Sequence, residues 1–138
     1  MQDLKTNVKA LLVYNQDEPL SELRRALETQ PMETHRARTC RQATDYLHES
    51  SDRPHVIFTD TTLPDGTWED VLRVAREAPS AADVVVISRW PDVKVYIDAL
   101  ERGAFDFMTP PFREVELDHV LRCATTDVAA RRASAGAA

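Results

Sequence analysis

The stretch Val56-Ile57-Phe58-Thr59-Asp60, followed by Thr61-Thr62-Leu63-Pro64-Asp65-Gly66, decides the fold of this 138-residue chain. Its first part is a short apolar run that ends in a carboxylate and a turn, a pattern typical of a buried strand that carries one acid to the edge of a sheet. Ligands in open α/β sheets bind at such carboxyl ends of strands. Asp60 is therefore the candidate functional residue, although a strand-end acid that is merely solvated has the same local pattern.

Four further strand-like segments alternate with segments of helical spacing. Val84-Val85-Val86-Ile87 is a β-branched run typical of a strand, whereas Leu20, Leu23 and Leu27 recur at helical spacing after Pro19. The other predicted strands cover 10–13, 34–38 and 104–108, and the other predicted helices cover 43–47, 68–75, 93–100 and 117–128. Five strands alternating with five helices predict a doubly wound α/β fold with a parallel sheet, in which the ends of the first and third strands meet at a switch point.

Composition predicts one globular domain and argues against several function classes. We expect the domain to cover residues 1–128 and residues 129–138 to form a disordered tail, because the tail has no apolar periodicity. The net charge of −6 argues against nucleic-acid binding by this domain. No apolar stretch approaches the roughly 18 residues that span a membrane, and the first residues do not resemble a signal peptide, so a cytoplasmic location is expected.

The cysteines and surface charges have simple interpretations. Cys40 and Cys123 are expected to be free thiols, since two isolated cysteines in a cytoplasmic protein rarely pair. None of the four histidines has metal-ligand spacing with either cysteine, so no zinc site is expected. The side chains of Arg24, Arg25, Arg36 and Arg38 are expected to lie on solvated faces.

From about residue 8 to residue 128 the chain resembles a bacterial response regulator receiver domain. The resemblance rests on motifs that occur in the family's order and at its separations. These motifs are Lys9-Ala10-Leu11-Leu12-Val13, Phe58-Thr59-Asp60 with Leu63-Pro64-Asp65-Gly66, Val86-Ile87-Ser88, Gly103-Ala104-Phe105-Asp106-Phe107 and Pro111-Phe112. The resemblance implies a flavodoxin-like (βα)5 fold with strand order 2-1-3-4-5, and a role as a phosphoprotein of two-component signal transduction. It also implies that a histidine kinase and an output protein or domain are the partners.

The resemblance assigns a role to several residues near the sheet edge. Asp60 would accept the phosphoryl group with the help of Mg²⁺, and the backbone carbonyl of Thr62 would bind that ion. Ser88 would hydrogen-bond the phosphoryl group, and Phe107 would swing inward in response. From the residues alone, Ser88 equally suits a backbone contact at a strand end, and Phe107 a fixed core aromatic.

Three positions depart from the family pattern. The two acids that help to hold Mg²⁺ after the first strand are Tyr14 and Asn15 here, and the lysine after the fifth strand is Pro110, which offers neither charge nor N–H. Tyr14 is expected to plug the emptied acidic pocket, and a cis peptide is expected at Pro110-Pro111. Arg89 is interpreted either as a replacement for the lysine's charge or as part of a surface patch.

These departures weaken the expected metal site and divide the functional hypotheses. A Mg²⁺ ion held by Asp60, the neutral oxygen of Asn15 and the Thr62 carbonyl would bind weakly. The leading hypothesis is a signalling module, not an enzyme, that acts through phosphorylation-independent contacts of the face Val93–Val128 with another protein or a second copy. The alternative is a conventional phospho-switch. An aspartate-nucleophile phosphatase would need an acid at residue 62, where this chain has Thr62. A flavin-binding protein would need a Ser/Thr/Gly-rich loop after the first strand, where this chain has Tyr14-Asn15-Gln16-Asp17. Both functions are therefore disfavoured.

Overall fold

The computed structural model describes residues 8–49, 51 and 53–137. The expected start of the domain at residue 1, Ser50 and Asp52 after the second helix, and Ala138 lie outside the described residues. In chain order the elements are β1 (Val8–Val13), α1 (Leu20–Leu27), β2 (Met32–Ala37), α2 (Cys40–Glu49), β3 (Val56–Asp60), β4 (Thr62–Leu63), β5 (Gly66–Thr67), α3 (Trp68–Glu77), β6 (Asp83–Ile87), α4 (Val93–Glu101), β7 (Asp106–Met108) and α5 (Glu114–Ala137).

Five strands form one parallel sheet in the order β2-β1-β3-β6-β7. The predicted order 2-1-3-4-5 of the five main strands is therefore confirmed, and the α/β doubly wound fold with it. The structure adds a short antiparallel hairpin of β4 and β5 directly after β3. Strands of two residues have no periodicity to read, which is why sequence analysis missed this hairpin.

The central strands separate two apolar layers. In β3, Ile57 belongs to the layer covered by α2, α3 and α4, whereas Val56 and Phe58 belong to the layer covered by α1 and α5. This division follows from the strand geometry, because successive side chains point to opposite faces. A strand that is covered on both faces is mainly apolar, as β3 is from Val56 to Phe58.

Helix α3 begins at a capping box that fixes the exit from the β4–β5 hairpin. The Thr67 hydroxyl accepts a hydrogen bond from the Glu69 N–H at 3.3 Å, and the Asp70 carboxylate accepts one from the Thr67 N–H at 2.9 Å. A Cβ on Gly66 would clash with the Asp70 carboxylate, so a larger residue here would displace the side chain that closes the capping box. The box thereby holds Trp68 at the side of the sheet edge where β3 ends.

Helix α5 continues past Val128 to Ala137, through residues for which the sequence predicts a disordered tail. The Arg132 guanidinium donates hydrogen bonds to the carbonyl of Ala81 at 2.9 Å and to that of Pro54 at 3.0 Å. These bonds join the helix to the two loops that precede β3 and β6. Helical continuation beyond the apolar stripe therefore comes from long-range contacts that periodicity does not reveal.

Arg131 makes a second connection between this part of α5 and the sheet. Its guanidinium lies 3.2 Å from the buried carboxylate of Asp83, the first residue of β6, and 3.5 Å from the carboxylate of Asp127. Burial and, to a lesser extent, the neighbouring Asp127 raise the pKa of Asp83 to about 7, although Arg131 opposes the rise. The carboxyl of Asp83 therefore favours its neutral form far more in the folded protein than in water.

We expect an Asp83→Asn substitution to remove a pH-dependent part of the stability. The folded-state pKa of Asp83 lies above its unfolded value, so its favourable contribution is complete at low pH and is lost as the pH rises towards about 7. The free energy of unfolding of the wild type, taken relative to the variant, should fall by up to about 1.4 kcal/mol per pH unit between about pH 5 and pH 7, then level off. Urea unfolding of both proteins across this range measures it, and a difference that does not vary with pH would contradict it.

Candidate functional site

An open cleft with a volume of about 760 Å³ lies at the carboxyl ends of β1, β3 and β6. Parallel pairing aligns these ends, because Val13 pairs with Thr59 and Asp60 pairs with Ile87. Most of the predicted site residues line this cleft. They are Asn15, Asp60, Thr62, Ser88 and Arg89, and two tryptophans, Trp68 and Trp90, lie beside them.

Asp60 is the half-buried acid at the floor of the cleft. Its Oδ1 accepts a hydrogen bond from the Thr61 N–H at 2.7 Å. Burial raises the pKa of the Asp60 carboxyl above its ordinary value, while the Thr61 N–H and the positive charge of Arg89 oppose that rise. Partial desolvation of a carboxylate strengthens its attraction for any cation that enters the cleft.

Ser88 links the cleft to the edge strand β7. Its side chain lines the cleft and is nearly buried, and its N–H donates to the Met108 carbonyl at 3.0 Å. Phe107, one residue earlier in β7, does not line the cleft. Its half-buried ring packs against the layer below α4, with its centroid 5.6 Å from that of Tyr96 and the two planes at 58°. A ring in this position contacts both the core and the helix that flanks the cleft.

Tyr14 lies in the core and not among the residues that line the cleft. Its side chain is fully buried in the layer covered by α1 and α5. Its hydroxyl has no hydrogen-bond partner among the described residues. The Tyr14 ring therefore fills space in the core below the sheet edge. The first position of the family's acidic pair contributes no side chain to the cleft.

Arg36, which was expected on a solvated face, instead holds the end of β1. Its guanidinium carbon lies 3.8 Å from the centroid of the Tyr14 ring. The same guanidinium donates to the backbone carbonyls of Tyr14 at 3.3 Å and Asn15 at 3.1 Å. The β1–β2 register explains this position, because Leu12 pairs with Arg36 and so directs it towards the residues that follow β1. Charge alone gave no signal of this role, since it depends on the register.

Arg89 is the one lysine or arginine among the described residues that line the cleft. It is exposed, its charge acts on Asp60, and its guanidinium also donates to the backbone carbonyl of Glu18 at 3.1 Å. Pro110 does not line the cleft, and the predicted cis peptide between Pro110 and Pro111 is present. The one basic side chain of the cleft therefore comes from the β6–α4 loop and reaches the backbone just before α1.

The acid of the Leu63-Pro64-Asp65-Gly66 motif has a structural role. The Asp65 carboxylate accepts hydrogen bonds from the backbone N–H groups of Cys40 at 2.7 Å and Arg41 at 3.0 Å, and so caps α2 from a loop 25 residues away. Burial raises the pKa of Asp65, but these N–H groups outweigh that effect and hold it below its ordinary value. Asp65 is therefore committed to the helix and does not add a carboxylate to the cleft.

The described residues contain no group of three or more His, Cys, Asp or Glu side chains arranged to hold a metal ion. Of the other carboxylates that line the cleft, Asp92 caps α4 by accepting from the Val95 N–H at 3.2 Å, and Glu69 pairs with Arg102 at 2.9 Å. Magnesium requires oxygen ligands, usually including one or two carboxylates. Asp60 therefore stands as the single carboxylate with few competing contacts, and the residues fit a weak magnesium site at most.

The two cysteines are free thiols, but one sequence-based statement about them was wrong. Cys123 and His119 are four residues apart on α5, and Sγ lies 3.6 Å from Nε2, so this pair does have the spacing of joint metal ligands. A third ligand is missing among the described residues. Cys40 is buried, and burial together with the charge of Asp65 raises the pKa of its thiol to about 11.

Residues 10–122 match the family model of the response regulator receiver domain. The chain is 35% identical over 130 residues to the KDP operon transcriptional regulatory protein KdpE of Escherichia coli, an alignment that covers 94% of this chain and 53% of KdpE. The chain spans between 13% and 55% of the length of seven other curated relatives.

Solved structures of receiver domains have the same fold. The signal receiver domain of an HD domain-containing protein from Pseudomonas fluorescens Pf-5 superposes with a TM-score of 0.77 at 25% identity, covering 96% of both chains. The receiver domain of sensor histidine kinase PA1611 from Pseudomonas aeruginosa PAO1 superposes with a TM-score of 0.72 at 17% identity, covering 86% of this chain and 98% of that one. That neighbour holds a magnesium ion in its active-site cleft. No helix among the described residues is long and apolar enough to span a membrane.

We expect a Tyr14→Phe substitution to stabilise the protein by about 1 kcal/mol. The substitution removes a buried hydroxyl that has no partner among the described residues, and it keeps the ring and its contact with Arg36. Urea unfolding at neutral pH measures the change. Tyr14→Leu, which removes the ring as well, should destabilise the protein, and a loss of stability in Tyr14→Phe would show that the hydroxyl has a partner.

Proposed function

Because the chain belongs to the response regulator receiver domain family, we propose that it is an atypical receiver that signals through protein contacts with little or no dependence on phosphorylation. The observation that carries the proposal is the content of the cleft. Asp60 is there, but Tyr14 is buried in the core and Pro110 does not line the cleft. A cleft with one available carboxylate and one cation lacks most of what phosphoryl transfer to an aspartate requires.

Magnitudes support this proposal. A divalent cation loses about 2 kcal/mol of attraction for each carboxylate removed at about 4 Å, even at the dielectric constant of water. Loss of one preorganised cation that stabilises transition-state charge commonly slows a reaction by about 10² to 10³-fold. Both penalties apply here, because Asn15 is neutral and Pro110 has no charge. Phosphorylation from any donor would therefore be slow, and Mg²⁺ would not accumulate in the cleft at ordinary concentrations.

Magnesium, where it binds, would neutralise charge between an incoming phosphoryl group and the Asp60 carboxylate. The residues that would hold it are Asp60, Asn15 through its side-chain oxygen and Thr62 through its carbonyl. Asn15 is exposed and lines the cleft, and its backbone carbonyl accepts a hydrogen bond from Arg36. The loop after β1 is thus held by the protein's own guanidinium group and does not need the ion for its position.

The contact surface in this proposal is the face Val93–Val128, which comprises α4, β7 and most of α5. Partners would be a histidine kinase or an output protein or domain, and a second copy is the homodimer alternative. The net charge of −6 does not suit nucleic acid as a partner. Contacts on this face are linked to the cleft through Ser88, whose N–H binds the Met108 carbonyl.

A conventional phospho-switch is the second candidate function, and Arg89 is the observation that favours it. Arg89 and Asp60 line the same cleft, and the charge of Arg89 opposes the rise in the pKa of Asp60, so the guanidinium is placed to interact with a phosphoryl group on that residue. It would have to release the Glu18 carbonyl in order to turn fully towards the cleft. In this reading Ser88 and Phe107 keep their family roles.

Beryllofluoride, which mimics an aspartyl phosphoryl group, separates the two candidates. We expect the ¹H–¹⁵N correlation spectrum of the protein to change no more than that of an Asp60→Asn variant when millimolar Mg²⁺ and then beryllofluoride are added. Shifts at Ser88 and Phe107 that occur in the wild type and vanish in Asp60→Asn would instead establish the phospho-switch. Arg89→Gln should then abolish those shifts if Arg89 replaces the lysine.

A further inference from the structure

Helix α4 turns its large apolar side chains towards solvent. Val93, Tyr96, Ile97 and Leu100 are 66%, 43%, 47% and 40% exposed, whereas Ala99 is the one buried residue of the helix. An apolar stripe at this spacing normally faces the core. A single exposed leucine needs no explanation, but four large apolar residues on one helix form a patch of the kind that binds another protein.

A groove of about 460 Å³ runs beside this stripe, between α4 and α5 and across the edge strand β7. Phe107 and Val120 belong to its apolar lining, and the stripe residues Val93 and Tyr96 form the wall on the α4 side. We call this groove, together with the adjacent residues Ile97 and Leu100, the α4 groove. It offers a concave apolar surface next to a ridge, which suits the insertion of side chains from a helix or an extended segment.

The charges in the lining of the α4 groove have one sign. Asp92, Asp106 and Glu116 contribute three carboxylates, and the lining contains His119 but no lysine or arginine among the described residues. Two of these acids also hold local backbone, since Asp92 accepts from the Val95 N–H and Asp106 accepts from the Phe107 N–H at 2.8 Å. Together the three carboxylates give the groove an acidic rim around an apolar centre.

We propose that the α4 groove receives a basic amphipathic segment of a partner protein, in which apolar side chains fill the groove and lysine or arginine side chains face its acidic rim. The inference rests on the proposed function and names the chemistry of the partner. Apolar burial would supply the affinity, and charge complementarity the choice of partner and the rate of encounter. A nearby basic residue, Lys94, lies on the solvent side of α4 and does not line the groove.

A second copy of the chain is a poor occupant of the same groove. A twofold interface brings the same patch of both subunits together. The three carboxylates of one groove would then face the three of the other without a lysine or arginine in either lining. Like charges that face each other across an interface disfavour association. A basic partner meets the same carboxylates with the opposite sign.

An occupant of the groove would touch residues that lead to the cleft. The Phe107 ring lies against Tyr96 on the groove wall, and Met108, which also lines the groove, accepts the Ser88 N–H. Asp60 and Ser88 line the same cleft. One hydrogen bond thus separates a partner in the groove from the Asp60 cleft, so a basic segment could alter the cleft without any phosphoryl group present.

The test uses two synthetic amphipathic peptides of about 18 residues with the same leucine stripe, one carrying lysine and the other glutamate at the polar positions. Fluorescence anisotropy measures their dissociation constants with the whole chain in low salt. We expect the lysine peptide to bind at least about tenfold more tightly than the glutamate peptide, with an affinity that falls as salt is added. Equal binding of the two peptides, or no binding of the lysine peptide at millimolar concentration either with or without Mg²⁺ and beryllofluoride, would overturn the proposal.

Three variants locate the binding site. Glu116→Lys should weaken the lysine peptide by about threefold to tenfold, and Ile97→Ser should weaken it by a similar factor through lost apolar contact. Asp45→Lys makes the same charge change at an exposed residue of α2, near the opposite edge of the sheet, and should leave binding nearly unchanged. If Asp45→Lys weakens binding as much as Glu116→Lys, the attraction is not specific to the groove and the proposal fails.

Two further measurements separate this proposal from its alternatives. Light scattering over a range of concentrations detects a dimer, and a dimer that Ile97→Ser dissociates would assign the groove to a second copy and overturn the basic partner. Asp60→Asn should bind the lysine peptide as the wild type does. If the wild type binds that peptide only with Mg²⁺ and beryllofluoride present, the basic partner stands, while the proposal of phosphorylation-independent signalling fails.

Discussion

The alignment of β1, β3 and β6 at their carboxyl ends is the constraint on which the site depends. Each of these strands is covered on both faces, so most of its residues are apolar until the chain leaves the sheet. Register then decides which polar residues meet, and the pairing of Asp60 with Ile87 brings Ser88 to the same edge. The cleft therefore follows from the alignment of the strands, and it does not depend on whether the residues in it can support phosphoryl transfer.

Guanidinium groups hold the parts of this edge where the family places acids and a metal ion. Arg36 binds the two carbonyls that follow β1, and Arg89 binds the Glu18 carbonyl just before α1. A loop that is fixed from two sides by the protein itself has little to gain from a bound cation. The positive charge at this edge is thus supplied by the protein's own side chains, which bind backbone carbonyls.

Sequence analysis succeeded where a local pattern has one physical meaning. Apolar runs and helical spacing predicted the five main strands and their order, and the strand-end position predicted that Asp60 would face a cleft. It failed where a contact joins distant segments. Arg36 needed the β1–β2 register, the cap by Asp65 spans 25 residues, and the length of α5 depends on Arg132 reaching the loops before β3 and β6. The stripe on α4 predicted a helix correctly but gave no sign that its apolar side faces solvent.

The two thiols differ so much in exposure that only one of them is accessible to a labelling reagent. Cys40 is buried, and the raised pKa of its thiol keeps it protonated and unreactive at neutral pH. Cys123 is exposed on α5, one turn from His119 in the groove lining. A maleimide dye or a spin label should therefore couple at a single place without any engineered cysteine. Its signal would report on the environment of α5 in the unmodified sequence, which makes the chain a convenient subject for spectroscopy.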